Sequence, residues 1–333
     1  MAYKTVSGTL EQSENTLDKA TTKVAISPPR QHWEAHCMSE ALQPLLDVLS
    51  LEKIDTNIYR GVTPETTNKR VFGGQVFAQA MRAAQDTVDQ ERMVHSQHAY
   101  FLRPGDPSVP ILYEVDAIRD GGSFTTRRVV GSQRGKAIFN TELSFQVMES
   151  GLSHQANMPD CAGPEGLEDD SIRWAKLAES LSKNDTDRSK KRRPSLRPIQ
   201  MRSVNPVDYK NPEPRAAEQL VWIKAAGSLS EMGVANDPAL HRAILAYASD
   251  FSLMATSMLP HAVSFMNPKF QPASLDHCIW FHDEFKADEW LLYAMDSPRS
   301  SHARGLSRGS FFSRDGRLVA STIQEGLIRL HKD

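Results

Sequence analysis

The sequence predicts an α+β fold of two repeats, each a curled antiparallel sheet around a central helix. Three observations predict it. The stretch Tyr247 to Leu259 reads as a helix with no surface, because Phe251 to Leu259 contains only apolar side chains and small hydroxyls. A helix apolar all round belongs inside a core or a membrane, and so short an uncharged run cannot span a bilayer. A helical pattern followed by four β-like segments then occurs twice along the chain. Finally, the two passages align at a near-constant offset. His98 and His277 lie 179 apart, Gly135 and Gly316 181 apart, and Gln75 and Asp250 175 apart, each of this last pair at a helix entrance. A duplicated unit of this kind can join its two sheets edge to edge, which removes two exposed edges.

Composition narrows the function classes. The 333 residues are enough for roughly two domains. Lys+Arg is 39 and Asp+Glu is 41, a net charge of -2. That balance gives no general pull toward nucleic acid or an anionic membrane surface. Cys37, Cys161 and Cys278 are odd in number and lack metal-ligand spacing. They read as reduced thiols of a cytoplasmic protein. No run of 18 apolar residues occurs, so no membrane insertion is expected. The N-terminus lacks the apolar core of a signal peptide, and His331-Lys332-Asp333 is not a peroxisomal Ser-Lys-Leu address.

In chain order, residues 1–35 read as a polar, disordered leader. Residues 36–150 read as the first repeat. Met38 to Leu49 has helical spacing, with Pro44 at its start or at a kink, and Ile54 to Val62 reads as a strand. Val71-Phe72-Gly73-Gly74-Gln75-Val76 opens a helix whose alanines and glycines let a sheet approach closely. Strands follow at Met93 to Leu102, Ile111 to Asp120, Ser123 to Ser132 and Lys136 to Val147. Residues 151–215 read as a connector rich in Pro, Ser and charge, with a short helix over Ile172 to Leu181. Its run Ser189-Lys190-Lys191-Arg192-Arg193-Pro194 reads as a solvated face, since Asp160 to Asp187 is acidic and cancels its field. Residues 216–333 read as the second repeat. Gln219 to Ala226 is a strand, and Asp237-Pro238 is an N-cap with Pro at the first helical position. The helix there is read as continuing into the opening stretch. Strands follow at Ser274 to His282, Glu289 to Ser297, Ala303 to Ser313 and Leu318 to Leu330, with a tight turn at Asp315-Gly316.

Four motifs sit at matching places in this frame: Val71 to Val76, His95 to Asp106, Leu245 to Asp250 (Leu-Ala-Tyr-Ala-Ser-Asp) and Ser321 to Gly326 (Ser-Thr-Ile-Gln-Glu-Gly). Together they resemble the acyl-CoA thioesterase II family over about residues 45–331. The resemblance implies a double hotdog fold and hydrolysis of fatty acyl-CoA to free fatty acid and CoA by direct water attack. It implies acyl-CoA as substrate, no cofactor and a homo-oligomer. It also implies a site of an Asp, a Thr and a Gln that hold the water. These fall on Asp250, Ser274 and Gln324. Ser274 departs from the pattern: it keeps the hydroxyl and loses the methyl that restricts χ1.

The residues carry their own reading beside the resemblance. Asp250 is an ordinary helix N-cap, or an ionised acceptor able to orient water, or both. A helix N-terminus favours its charged form. Gln324 shares one strand face with Leu318, Ala320, Thr322, Gly326 and Ile328, whereas the first repeat carries Leu143 at that place. A buried amide needs partners. Ser274 alone reads as a strand-start hydroxyl. His95, His98, His277 and His282 read as core or rim residues, not metal ligands. With Gln75 equated to Asp250, the first repeat reads as the degenerate one and hydrolysis is placed in the second. Gly305-Leu306-Ser307-Arg308-Gly309 fits a serine-hydrolase elbow, but the chain runs on as a strand, where that motif needs a sharp turn into a helix. Two rivals stay open: a non-catalytic acyl-CoA binding protein and a hotdog enoyl-CoA hydratase. The hydratase would want an Asp–His pair, and Phe251 follows Asp250.

Overall fold

The computed structural model describes residues 41–64, 69–182 and 197–331. The predicted leader, Cys37 and the basic run Ser189 to Pro194 lie outside the described residues. Within them, one 13-stranded sheet carries the chain. Its strands are β1 (Glu52–Asp55), β2 (Ile58–Gly61), β3 (Arg92–Phe101), β4 (Ile111–Asp120), β5 (Phe124–Gln133), β6 (Lys136–Val147), β7 (Ile199–Ser203), β8 (Glu218–Ala225), β9 (Phe270–Ser274), β10 (Asp276–Phe281), β11 (Leu291–Ser301), β12 (Arg304–Ser313) and β13 (Leu318–Leu330). The helices are α1 (Gly73–Gln85), α2 (Asp170–Ser182), α3 (Pro238–Ser249) and the single turn α4 (Leu253–Thr256). Residues 41–49 are helical as well.

All strand pairs are antiparallel, in the order β1-β2-β4-β5-β6-β3-β10-β13-β12-β11-β8-β7, with β9 also on β13. Read from its two ends, this order is the same. The seam is the β3–β10 pair, centred on His98 opposite Cys278. Its register makes Gln97 the counterpart of His277, not His98 as the 179-residue offset implies. Side chains alternate along a strand, so a one-residue slip exchanges the faces. The partners bear this out: Gln97 donates to the Phe77 carbonyl of α1, and His277 bonds Ser249 of α3. His98 instead lies edge-on to Trp280 on the other face.

Helices α1 and α3 lie side by side and antiparallel against the inner face. The start of α1 meets the end of α3, where Gly74 reaches Asp250. The end of α1 meets the start of α3, where Arg82 reaches Asp237. As the sequence predicts, Asp237 caps α3 by accepting from the Leu240 N–H, with Pro238 in the first helical position. Phe77 and Met81 of α1 and Ile244 and Leu245 of α3 are buried in one core with Leu143, Phe145, Tyr293 and Phe311 from both sheet halves. Truncating a side chain such as Phe77 to Ala there costs about 3–5 kcal/mol.

Four expectations change. The surfaceless stretch is not one helix. Helix α3 ends at Ser249, Asp250 is its C-cap, and Ser252 turns the chain through a left-handed conformation at φ 65° before α4. Lack of charge reports burial there, not helical continuity. Gln75 and Asp250 are therefore not equivalent: Gln75 lies in the first turn of α1, and the C-cap residue of α1 that matches Asp250 is Asp86. The strand read over Ile54 to Val62 is two, split where Asn57 takes φ 59°, a conformation Asn tolerates. Lastly, β7 lies inside the stretch read as a connector and pairs with β8 as an edge strand.

Candidate active site

Asp250 is held by two helices. It ends α3, and its Oδ2 accepts the Gly74 N–H of α1 at 2.9 Å. The α1 N-cap residue, Phe72, offers no side-chain acceptor, so Asp250 supplies the cap from the neighbouring helix. Two glycines make this approach possible. A Cβ on Gly73 would lie 2.8 Å from Asp250 Oδ2, and one on Gly74 would collide with the Tyr247 carbonyl. The close approach predicted for these glycines is thus made by a helix end, not by the sheet. Phe72 packs against Tyr247 and Phe251 and closes the junction on one side.

The other carboxylate oxygen meets the sheet. Gln324 Nε2 donates to Asp250 Oδ1 at 2.8 Å and to Ser274 Oγ at 3.2 Å. Gln324 stands on the inner face of β13, which the alternation of β13 places under the helices. Ser274 ends β9 opposite Gly326. So the three residues that the resemblance implies converge on one point, although they are 24 to 74 residues apart.

That point opens on a cleft of about 690 Å³, lined among others by Val71, Phe72, Gly73, Val76, Phe101, Met254 and Leu275. Asp250 and Ser274 face it, and Lys69, Arg70 and Arg103 also line it. Asp250 keeps a partly accessible edge there. Burial of the rest pushes its carboxyl up to about 6, against the opposing pull of Gln324 and the Gly74 N–H. Desolvation thus outweighs the favourable helix N-terminus, yet the group remains mostly ionised at neutral pH.

A supporting layer fixes the end of α3. Ser249 Oγ donates to the Ala246 carbonyl, so the His277 Nε2–H donates to Ser249 Oγ. Burial drives the His277 imidazole down to about 3, which keeps it neutral. The Tyr293 hydroxyl donates to the Ser249 carbonyl. Sequence reading assigned none of these contacts: those of His277 and Tyr293 link segments 28 and 44 residues from Ser249, and no short motif contains both partners. The other histidines are packed or on the rim: His95 bonds Ser144 and His282 bonds Ser321.

A family model for acyl-CoA thioesterase matches residues 201–327, and one for the acyl-CoA thioesterase N-terminal domain matches residues 63–146. The chain is 38% identical over 292 residues to acyl-CoA thioesterase 2 of Haemophilus influenzae, covering 88% of this chain and 99% of that one. It is 41% identical over 298 residues to acyl-coenzyme A thioesterase 8 of Mus musculus, covering 85% and 88%. The chain belongs to the acyl-CoA thioesterase family. A crystal structure of an acyl-CoA thioesterase II, TesB2, from Mycobacterium marinum superposes with a TM-score of 0.69 at 38% identity, over 86% of this chain and 98% of that one. A hotdog-fold protein from Alicyclobacillus acidocaldarius, at 17% identity and a TM-score of 0.65, shares the fold alone. This thioesterase therefore has an antiparallel hotdog sheet with few helices. Both family matches include residues of the cleft: Phe72 and Gly73 in one, Asp250 and Ser274 in the other, which also spans Gln324 behind them.

Proposed function

We propose that this acyl-CoA thioester hydrolase works as a double hotdog with one hydrolytic centre, made of Asp250, Ser274 and Gln324. The single observation that carries the reading is the Gln324 amide. Its one nitrogen bonds both the Asp250 carboxylate and the Ser274 hydroxyl at the wall of an open cleft. Asp250 polarises a water and takes its proton as the water attacks the thioester carbonyl. Gln324 and Ser274 orient that water. The Gly74, Gln75 and Val76 amides of the first turn of α1 are taken by Asp250 and the Phe72 carbonyl, so the Gly73 N–H, next to the same point, supplies the donor for the developing oxyanion. Collapse of the tetrahedral intermediate expels the CoA thiolate, which takes up a proton, and leaves the free acid. Val71, Phe101 and Met254 suit an acyl chain, and Lys69, Arg70 and Arg103 suit the CoA phosphates.

The half-and-half comparison supports a single centre on corrected grounds. The register pairs Gln324 with Leu143, and the helix ends pair Asp250 with Asp86. Asp86 has a carboxylate too, but it is tied to Tyr59 and Lys53 and faces no amide on the β6 side. A hydratase reading fares worse than hydrolysis, since His277 is buried and bonds Ser249, and among the described residues no Asp–His pair lines the cleft. The free thiols Cys161 and Cys278 fit a reducing, cytoplasmic setting. Among the described residues no helix is long and apolar enough to cross a membrane.

A colorimetric thiol-release assay with CoA esters of graded chain length tests this reading. Continuous, many-turnover release of free thiol with a chain-length optimum is expected. Saturable binding of the same esters without any thiol release would favour the acyl-CoA binding protein instead.

A further inference from the structure

Gly305-Leu306-Ser307-Arg308-Gly309 is left unused by the hydrolytic reading. It lies wholly within β12, so Ser307 is not on a nucleophile elbow. The glycines have a steric reason. A Cβ on Gly305 would collide with the Ser257 hydroxyl, and one on Gly309 with the Tyr293 ring. Residues 305, 307 and 309 share the inner face. Between two glycines that make room for neighbours, Ser307 presents the side chain.

That side chain faces Gln324. The two are direct cross-strand partners in the β12–β13 register. Ser307 is 0% exposed and Gln324 1%. The Gln324 nitrogen is engaged by Asp250 and Ser274, while its Oε1 and the Ser307 Oγ are buried without another partner. Directly opposed residues carry Cβ atoms about 4.5–5.5 Å apart, within reach of a hydrogen bond or of one bridging water. Buried polar groups in native proteins are satisfied in one of these ways. A serine hydroxyl has one proton to donate, and an amide oxygen accepts it.

We propose that the Ser307 hydroxyl donates to Gln324 Oε1, directly or through one bound water, and so holds the amide with its nitrogen toward Asp250 and Ser274. Ser307 is then a positioning residue that acts through Gln324 and touches neither the attacking water nor substrate. Without that donor the amide is free to turn, and its flipped form sets an oxygen against the Asp250 carboxylate. The other sheet half shows the pair replaced as a unit. There Arg127 stands opposite Leu143, and its guanidinium bonds Thr87 and Asp120 instead. The inference rests on the reading of Asp250, Ser274 and Gln324 as the hydrolytic centre.

The test is steady-state thiol release by Ser307→Ala, Ser307→Thr, Gln324→Leu and the Ser307→Ala/Gln324→Leu double variant, with Asp250→Asn beside them. Thermal melts establish that each variant is folded. Ser307→Ala is expected to lower kcat about fivefold to tenfold with KM within about twofold, and Ser307→Thr, which keeps the hydroxyl, to recover it. In the Gln324→Leu background, Ser307→Ala should change kcat by less than about twofold, because no amide remains to be held. Wild-type kcat in Ser307→Ala, or an equal loss in the Gln324→Leu background, overturns the proposal. Those results alongside an inactive Asp250→Asn leave the hydrolytic centre standing; a fully active Asp250→Asn removes that centre and this inference together.

Discussion

Asp250 is the cap of a helix to which it does not belong. As the C-cap of α3 it sits at the unfavourable end of its own helix dipole, and as the acceptor of Gly74 it sits at the favourable end of α1. Burial adds the deciding contribution and lifts the carboxyl to about 6. The folded chain therefore holds a proton between the ordinary carboxylate range and about 6 that the unfolded chain has released. Its contribution to stability is present below pH 4 and is lost as pH rises through about 6. Between pH 4 and pH 7 the stability of the wild type relative to Asp250→Asn should fall by roughly 2 kcal/mol, measured by urea unfolding across that range. The same ionisation makes hydrolysis rise through about pH 6 on the acid side. At this scale the sequence was half legible. Asp250 and Gln324 sit in motifs that carry the resemblance, and Ser274 lies outside those motifs and is named only by what the resemblance implies. Ser249 shares the motif of Asp250, but His277 and Tyr293 sit in none, and their work is done through Ser249, far along the chain.

The element that matters most is the crossing of α1 and α3. Its geometry depends on two small residues, Gly73 and Gly74, at one helix start. Gly74→Ala forces a Cβ against the Tyr247 carbonyl, a backbone atom that cannot swing aside. It should destabilise the protein by about 1–3 kcal/mol, as over-packing does, and lower kcat/KM about tenfold or more by moving the cap from Asp250. Gly122→Ala, where a Cβ meets nothing within 4 Å, is the control and should leave both unchanged. Thermal melts and thiol-release kinetics on the pair check this. Periodicity and the Asp237-Pro238 signal located the starts of both helices. The end of α3 escaped, because Phe251 to Leu259 is apolar whether it runs as a helix or breaks at a left-handed Ser252. Burial, and not helical pitch, was what that composition encoded.

Across the whole molecule, the seam makes two halves into one body. Strands β3 and β10 pair over five positions, from Ser96–Trp280 to Tyr100–Asp276, and a single buried cluster runs through α1, α3 and both sheet halves. Calorimetry should therefore give one cooperative transition whose van't Hoff and calorimetric enthalpies agree; two separable transitions would contradict it. The twofold plan was legible because turn glycines and strand spacing repeat. The register was not: an offset of 179 or 180 is the difference between His98 and Gln97 as the partner of His277, and only pairing across the seam decides it. In the correct register Gln324 replaces Leu143 and Ser307 replaces Arg127, so one half alone assembles an amide, a hydroxyl and an ionisable carboxylate at the cleft.

That Asp250 activates the attacking water is tested most directly by the turnover of purified Asp250→Asn, measured as thiol release at about pH 7.5, above the Asp250 ionisation, with its thermal melt beside it. A folded protein whose kcat has fallen by about 10²–10⁴-fold is the predicted result. A folded Asp250→Asn that hydrolyses acyl-CoA at the wild-type rate would contradict it.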